Sequence, residues 1–168
     1  MSIPKDYSDS DGITNNFIDS FLSPLCSIFK GTYPCDLLPI ISTKKRYCII
    51  VNLSSSNKPG SHFISLYFIP KNNICVYFDS LGLPCFDKNI INHILFLKYK
   101  MIDPGIQIQD VTSKYCGFYC ISFVLAMQMC IPVSQFILNF ETNMLLKNDS
   151  KVEKYIIKQI KKIVIYLS

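Results

Sequence analysis

Residues 109 to 129 have the sequence QDVTSKYCGFYCISFVLAMQM. We expect the rest of the chain to pack around this segment. Its polar, turn-forming start ends at Tyr115. The residues that follow are apolar on nearly every face, with only Ser122 and Gln128 as interruptions. A helix that is apolar all round is typical of a buried position in a domain core. The segment therefore predicts a central core helix that begins near Cys116.

Cys116 is a candidate nucleophile because of its place in the first turn of this helix. Unpaired backbone N–H groups and the positive end of the helix dipole favour an anion there. A stabilised thiolate is a usable nucleophile at neutral pH, whereas a thiol in apolar surroundings is inert. Gly117 has no side chain, which would let another backbone approach closely. Cysteines that begin core helices are also commonly small apolar residues, so this interpretation depends on catalytic partners.

A cysteine nucleophile needs a base, and the chain has two histidines, His62 and His93. His93 lies in residues 86 to 99, whose apolar spacing suits an amphipathic helix, where a histidine is usually a surface or boundary residue. His62 follows a turn rich in serine, asparagine and proline and begins a predicted strand over residues 63 to 69. A short loop and a second predicted strand, residues 74 to 79, come next. The two strands predict a hairpin.

This hairpin would bring Asp79 close to His62. If Ile69 pairs with Ile74, then Asp79 lies opposite Ile64, which shares a face of the sheet with His62. A carboxylate within reach of an imidazole orients the ring and stabilises its protonated form. Aspartate is also a common turn residue, and Asp79 begins the sequence Asp-Ser-Leu-Gly. The shared face nevertheless favours a pair between Asp79 and His62.

The order of these residues resembles that of the adenovirus-type cysteine proteases. His62 is followed by Asp79 in YFDSLG, then by Gln109, then by Cys116 in CGFYC. The resemblance covers residues 31 to 129 and is greatest to the proteases of virus-like DNA transposons and adeno-like viruses. The ubiquitin-like-protein-specific proteases of the same clan are more distant. The resemblance implies that Cys116 is the nucleophile, His62 the general base, Asp79 its orienter and Gln109 an oxyanion-hole donor.

Gln107 is an alternative to Gln109 as the oxyanion-hole donor. A side-chain amide beside the backbone N–H of Cys116 would stabilise the charge that develops on the carbonyl oxygen during acyl transfer. If residues 106 to 111 form a strand, the two glutamines share one face of it. The residues alone therefore leave the choice open, whereas the family spacing to the cysteine favours Gln109.

The composition predicts one intracellular domain with free thiols. The chain has 168 residues, 49% of them hydrophobic, which is ample for the core of a single domain. The first twelve residues contain no secretory signal, and we expect them to form a flexible tail and the eight cysteines to stay reduced. The absence of Cys-x-x-Cys and His-x-His spacings argues against a zinc site. The apolar run at residues 115 to 131 is short for a membrane span, and a core helix explains it better.

The resemblance also implies substrates and activators. It implies cleavage of viral or mobile-element precursor proteins during capsid or core maturation, after small residues such as glycine. Family members use DNA and a short peptide as activators, and no other cofactor is expected. The net charge of +5 and the lysines of residues 147 to 162 permit a polyanion-binding surface, although a solvated face is favoured. We expect a monomer, located in the virion and in the nucleus or cytoplasm of the host cell.

Two other functions remain as alternatives. The same chemistry would also suit a protease that acts on the Gly-Gly tails of ubiquitin or ubiquitin-like proteins. A catalytically silent binding domain with the same fold is the second alternative, and the presence of all four expected polar residues argues against it. A papain-like enzyme is disfavoured because its cysteine precedes its histidine in the chain, whereas Cys116 follows His62.

The predicted fold class is α+β, with a small, mainly antiparallel sheet packed on the Cys116 helix and further helices around it. A third strand is expected at residues 47 to 53, a short one at Ile106, and a loop at residues 31 to 39. Further helices are expected from a cap at Thr14 to Leu22 and at residues 86 to 99, 133 to 146 and 151 to 167.

Overall fold

The computed structural model describes residues 12 to 167, so the predicted tail lies outside the described residues except for Gly12. The strands within this range are β1 (Phe29–Pro34), β2 (Tyr47–Asn52), β3 (Phe63–Ile69), β4 (Ile74–Phe78) and β5 (Lys100–Ile102). The α-helices are α1 (Asn15–Leu22), α2 (Lys88–Phe96), α3 (Cys116–Gln128), α4 (Val133–Ile137) and α5 (Asn148–Leu167). Single 3-10 turns occur at Pro70–Asn72 and Leu145–Lys147.

The strands form a mixed sheet in the order β1-β2-β3-β4-β5. The three central strands are antiparallel, whereas β1 and β5 each run parallel to their neighbour at the two edges. Parallel neighbours need a crossover connection, and α2 forms the crossover between β4 and β5. The predicted α+β fold class is confirmed.

Helix α3 is the centre of the core. Every residue from Tyr119 to Met127 is buried, because the sheet covers one side of the helix and α1 and α5 cover others. Phe123 stacks on Phe78 of β4, with ring centroids 4.4 Å apart. Each fully buried side chain of this size stabilises the fold by roughly 1.5–3 kcal/mol. The segment is apolar all round because the helix has no solvent-facing side, as predicted.

Helix α2 covers the opposite face of the sheet. Its buried residues Ile90 and Ile94 pack in one cluster with Ile64 and Leu66 of β3. The side chains of β3 therefore alternate between the α3 face and the α2 face, both of which are apolar. No helix within residues 12 to 167 has the length and apolar character that crossing a membrane requires.

Some predicted boundaries are confirmed and others are wrong. Thr14 caps α1 as predicted, and its side chain accepts a hydrogen bond from the Phe17 N–H at 3.2 Å. Residues 31 to 34, which were predicted to begin a loop, belong instead to β1, where Pro34 is tolerated because it ends an edge strand. The helix predicted to reach residue 146 ends at Ile137. Asn139 ends it by donating side-chain hydrogen bonds to the last helical carbonyls.

Candidate active site

The β3–β4 hairpin brings His62 and Asp79 into contact. Ile69 pairs with Ile74, which is the predicted register. His62 immediately precedes β3 and Asp79 immediately follows β4, so both residues lie at the same end of the sheet. The His62 Nε2 atom lies 2.8 Å from the Asp79 Oδ1 atom. The structure thus contains the predicted contact, while the catalytic roles of the two residues stay predictions.

Asp79 is also a turn residue, in addition to its contact with His62. Its Oδ1 atom accepts a hydrogen bond from the Leu81 N–H at 2.8 Å, and its carbonyl accepts one from the Gly82 N–H at 3.0 Å. Gly82 has a φ of +67°, and a Cβ atom there would lie 2.5 Å from the Gln107 nitrogen. The turn at residues 79 to 82 therefore requires glycine and packs tightly on the segment that leads to Gln109.

Cys116 is the first residue of α3, and its side chain is half-buried next to His62. Burial disfavours the charged imidazole, but hydrogen bonds with Asp79 and Cys116 outweigh burial and raise the pKa of His62 from 6.5 to about 9. Because Nε2 of His62 bonds Asp79, the ring atom left for Cys116 is Nδ1. His62 is therefore protonated at neutral pH and can stabilise a thiolate at Cys116 by its charge.

Gly117 makes room for a side chain and not for a backbone. A Cβ atom at Gly117 would lie 2.5 Å from Cγ1 of Ile13 and 2.6 Å from Cδ1 of the same residue. Ile13 is 6% exposed and belongs to the core cluster. The expectation of a close backbone at Gly117 is therefore wrong. The segment before α1 packs directly beside the candidate nucleophile instead.

Gln109 reaches the site on an irregular segment. The short strand predicted at Ile106 is wrong: residues 103 to 108 form no strand, and the residues that pair with β4 are 100 to 102, in β5. The N–H groups of Ile108 and Gln109 both donate to the carbonyl of Ser80, at 2.9 Å each. The side chain of Gln109 is buried, and its Nε2 atom donates to the Ser113 carbonyl at 2.8 Å.

A cleft of about 990 Å³ contains three of the four predicted site residues. His62, Gln109 and Cys116 line it, and Asp79 lies behind His62. Gln107 does not line the cleft, and its side-chain amide donates to the Gln109 carbonyl at 3.0 Å. Gln109, and not Gln107, therefore lines the cleft. A volume of this size is at the upper end of the range for ligand pockets.

The sequence interpretation missed Asn52, which holds the loop before His62. The Oδ1 atom of Asn52 accepts hydrogen bonds from the N–H groups of Ser54, at 3.0 Å, and Ser61, at 3.3 Å. Gly60 must lack a side chain because a Cβ atom there would lie 2.6 Å from the Asn52 Nδ2 atom. A polar residue at the end of a fully buried strand, followed by a loop rich in serine and glycine, is the signal that could have found it.

The second histidine and the remaining cysteines lie outside this arrangement. His93 is half-buried on α2 beside the Pro39 carbonyl, and burial lowers its pKa. All the cysteines within residues 12 to 167 are free thiols. In the same range, no group of three or more histidine, cysteine, aspartate or glutamate side chains is arranged to hold a metal ion.

A comparison with solved structures relates this fold to a protease. The crystal structure of the selenomethionine ASFV pS273R protease matches with a TM-score of 0.55 and 14% sequence identity, over 95% of this chain and 71% of that chain. No protein-family model matches the sequence, and no curated protein matches it. At this identity the similarity concerns the fold alone. The fold of this chain is similar to that of this protease.

Proposed function

We propose that the protein is a cysteine endopeptidase in which Cys116 is the nucleophile, His62 the acid and base, Asp79 the orienter of His62, and Gln109 an oxyanion-hole donor. The observation that carries this proposal is the 2.8 Å contact of His62 with Asp79 at the wall of a cleft that Cys116 also lines, with Cys116 close enough to raise the pKa of His62. A base held between a carboxylate and a thiol is the arrangement that activates a cysteine nucleophile.

In the acylation step, the Cys116 thiolate attacks the carbonyl carbon of the scissile bond. The negative charge moves to the carbonyl oxygen, where the Gln109 amide and the Cys116 backbone N–H stabilise it. The C–N bond then breaks, and protonated His62 gives its proton to the departing amine. A thioester of Cys116 and a neutral His62 remain.

In the second step, water hydrolyses the thioester. Neutral His62 accepts a proton from the attacking water, and the same oxyanion site stabilises the charge on the carbonyl oxygen. The C–S bond breaks, the carboxylic acid product leaves, and the thiolate returns beside a protonated His62. Because the pKa of His62 is about 9, the imidazole is protonated at neutral pH when the next cycle begins.

The substrates we propose are precursor proteins of a viral or mobile-element particle, cut after small residues such as glycine, in the virion or the infected cell. The resemblance to adenovirus-type proteases supports this substrate class. The structural similarity to the ASFV pS273R protease agrees with a protein substrate. Cleavage of ubiquitin-like tails is the alternative outcome that a test must separate.

The experiment compares the wild-type protein with Cys116→Ala and His62→Ala, using thiol-directed peptide probes that end in Gly-Gly or in Gly-x-Gly. Cys130→Ala is the matched control, because Cys130 is an exposed thiol outside the cleft. We expect labelling at Cys116 that is lost in His62→Ala and unchanged in Cys130→Ala. Slow labelling of several cysteines regardless of His62 would contradict the proposal. Preference for Gly-Gly probes and for ubiquitin-like substrates would favour the alternative.

A further inference from the structure

Ser80 contacts two residues of the proposed catalytic site, although it has no part in the proposed mechanism. It directly follows Asp79 in the chain, and its side chain is completely buried. Its hydroxyl donates a hydrogen bond to the Oε1 atom of Gln109 at 2.5 Å. One residue therefore connects the carboxylate that orients the base to the amide that is proposed to stabilise the oxyanion.

The hydrogen-bond network determines which way the Gln109 amide points. An amide side chain can be turned by half a revolution, and its partners decide between the two orientations. The Ser113 carbonyl can only accept a hydrogen bond, so the Nε2 atom of Gln109 must lie on its side, at 2.8 Å. The Oε1 atom then faces Ser80, whose hydroxyl must donate to it. Nε2 has a second N–H, whose nearest partner is the Ser113 hydroxyl at 3.4 Å.

The backbone around Gln109 is held independently of the Ser80 hydroxyl. The Ser80 carbonyl, and not its side chain, accepts the N–H groups of Ile108 and Gln109. On the other side, the side chain of Asn148, at the start of α5, donates to the Ile108 carbonyl at 2.7 Å. Removing the hydroxyl would therefore leave the main chain in place. It would remove the donor to the buried Oε1 atom and leave Ser113 as the remaining partner of the Gln109 side-chain amide.

We propose that Ser80 is a positioning residue that holds the N–H groups of the Gln109 amide toward the oxyanion site. This inference rests on the proposed protease function. The turn at residues 79 to 82 then positions both halves of the catalytic machinery, since Asp79 orients His62 and Ser80 orients Gln109. Without the hydroxyl, the buried Oε1 atom loses its donor and the amide is held by Ser113 alone, so its N–H groups are less firmly fixed toward the oxyanion site.

The test compares Ser80→Ala with Ser122→Ala, a matched removal of a buried hydroxyl whose bond stays within α3. Peptide cleavage and alkylation of Cys116 by iodoacetamide are measured for each variant. We expect kcat of Ser80→Ala to fall on the order of 10-fold to 100-fold with little change in KM, because an oxyanion-hole defect acts on the transition state. Alkylation should keep the wild-type rate, since it develops no oxyanion.

The double variant of Ser80→Ala with Gln109→Ala should be no slower than Gln109→Ala alone, because both changes remove the same interaction. Circular dichroism checks the fold. If Ser80→Ala does not fold, Ser80→Cys, which keeps a similar shape with a weak donor, serves the same measurements. A kcat equal to that of Ser122→Ala, or a parallel loss of alkylation, would overturn the role of Ser80 alone. Absence of cleavage and labelling in the wild type would overturn the protease function and this inference with it.

Discussion

The Nε2 atom of His62 lies 2.8 Å from the Oδ1 atom of Asp79, although the two residues are 17 positions apart in the chain. The contact requires the pairing of Ile69 with Ile74, because a shift by one residue would turn one of the two side chains to the other face. Neither residue is part of a strand, so the pair lies at the end of the sheet, where Cys116 can reach it.

Replacing the carboxylate should impair catalysis without unfolding the protein. We expect Asp79→Asn to lower kcat/KM by roughly 10²-fold or more, because the imidazole loses its orienting charge. Asp87→Asn is the control, since Asp87 caps α2 and asparagine caps a helix equally well. Steady-state kinetics of both variants check this. Equal activity in the two variants would contradict the role of Asp79.

The activity should fall in alkaline solution with a midpoint near the pKa of His62, about 9. The folded-state pKa lies above the ordinary value of 6.5, so protonated His62 stabilises the fold. That stabilisation is fully present below 6.5 and is lost as the pH rises through 9. It amounts to on the order of 3 kcal/mol at most. The pH profile of kcat/KM and the unfolding free energy at several pH values measure the two effects.

Two variants test whether His62 is the group that causes this pH dependence. In His62→Gln, the unfolding free energy should lose its dependence on pH in this range. In Asp79→Asn, the alkaline midpoint of activity should move to lower pH, because the hydrogen bond and negative charge of Asp79 raise the pKa of His62. A midpoint that does not move would mean that another group controls the alkaline limb.

Asn52 should matter for substrate binding through the loop that it holds. Asn52→Ala leaves the N–H groups of Ser54 and Ser61 without their side-chain acceptor, which costs about 1–3 kcal/mol where such groups are buried. We expect a higher KM and a lower melting temperature, because this loop lines the cleft up to His62. Asn57→Ala, at an exposed position of the same loop, should change neither.

Gly117 should tolerate a side chain only if Ile13 becomes smaller. We expect Gly117→Ala to destabilise the fold by about 1–3 kcal/mol, since the added methyl group collides with Ile13. Chemical denaturation measures the loss. In the double variant with Ile13→Val, the two losses should be less than additive. Simple additivity would show that the two residues do not interact.

DNA binding tests whether the lysines of α5 form the polyanion-binding surface that the charge permits. Lys154, Lys158 and Lys161 are exposed, and their helical spacing places them along one face of α5. Lys154→Glu with Lys158→Glu should weaken DNA binding and reduce its salt dependence. Lys71→Glu with Lys98→Glu makes the same change in charge at exposed positions outside α5 and should have a smaller effect. Filter binding at several salt concentrations checks this, and equal losses would contradict a specific surface.

The local pattern of the chain was sufficient for much of the fold and for one contact of the candidate site. Alternation and loop length predicted the hairpin, and its register then placed Asp79 beside His62 because side chains in strands repeat every two residues. Uniform apolar character predicted α3 as the central helix with Cys116 in its first turn. These features depend on neighbours in the chain, which the sequence shows directly.

Tertiary structure alone decided the features that depend on distant segments. The choice of Gln109 over Gln107 depends on how an irregular segment packs on the turn at residues 79 to 82. The edge strands β1 and β5 exist because a neighbouring strand offers them hydrogen bonds. The space beside Gly117 is filled by Ile13, about a hundred residues earlier in the chain. Contacts between distant segments leave no periodic pattern in the sequence, so only the folded chain reveals them.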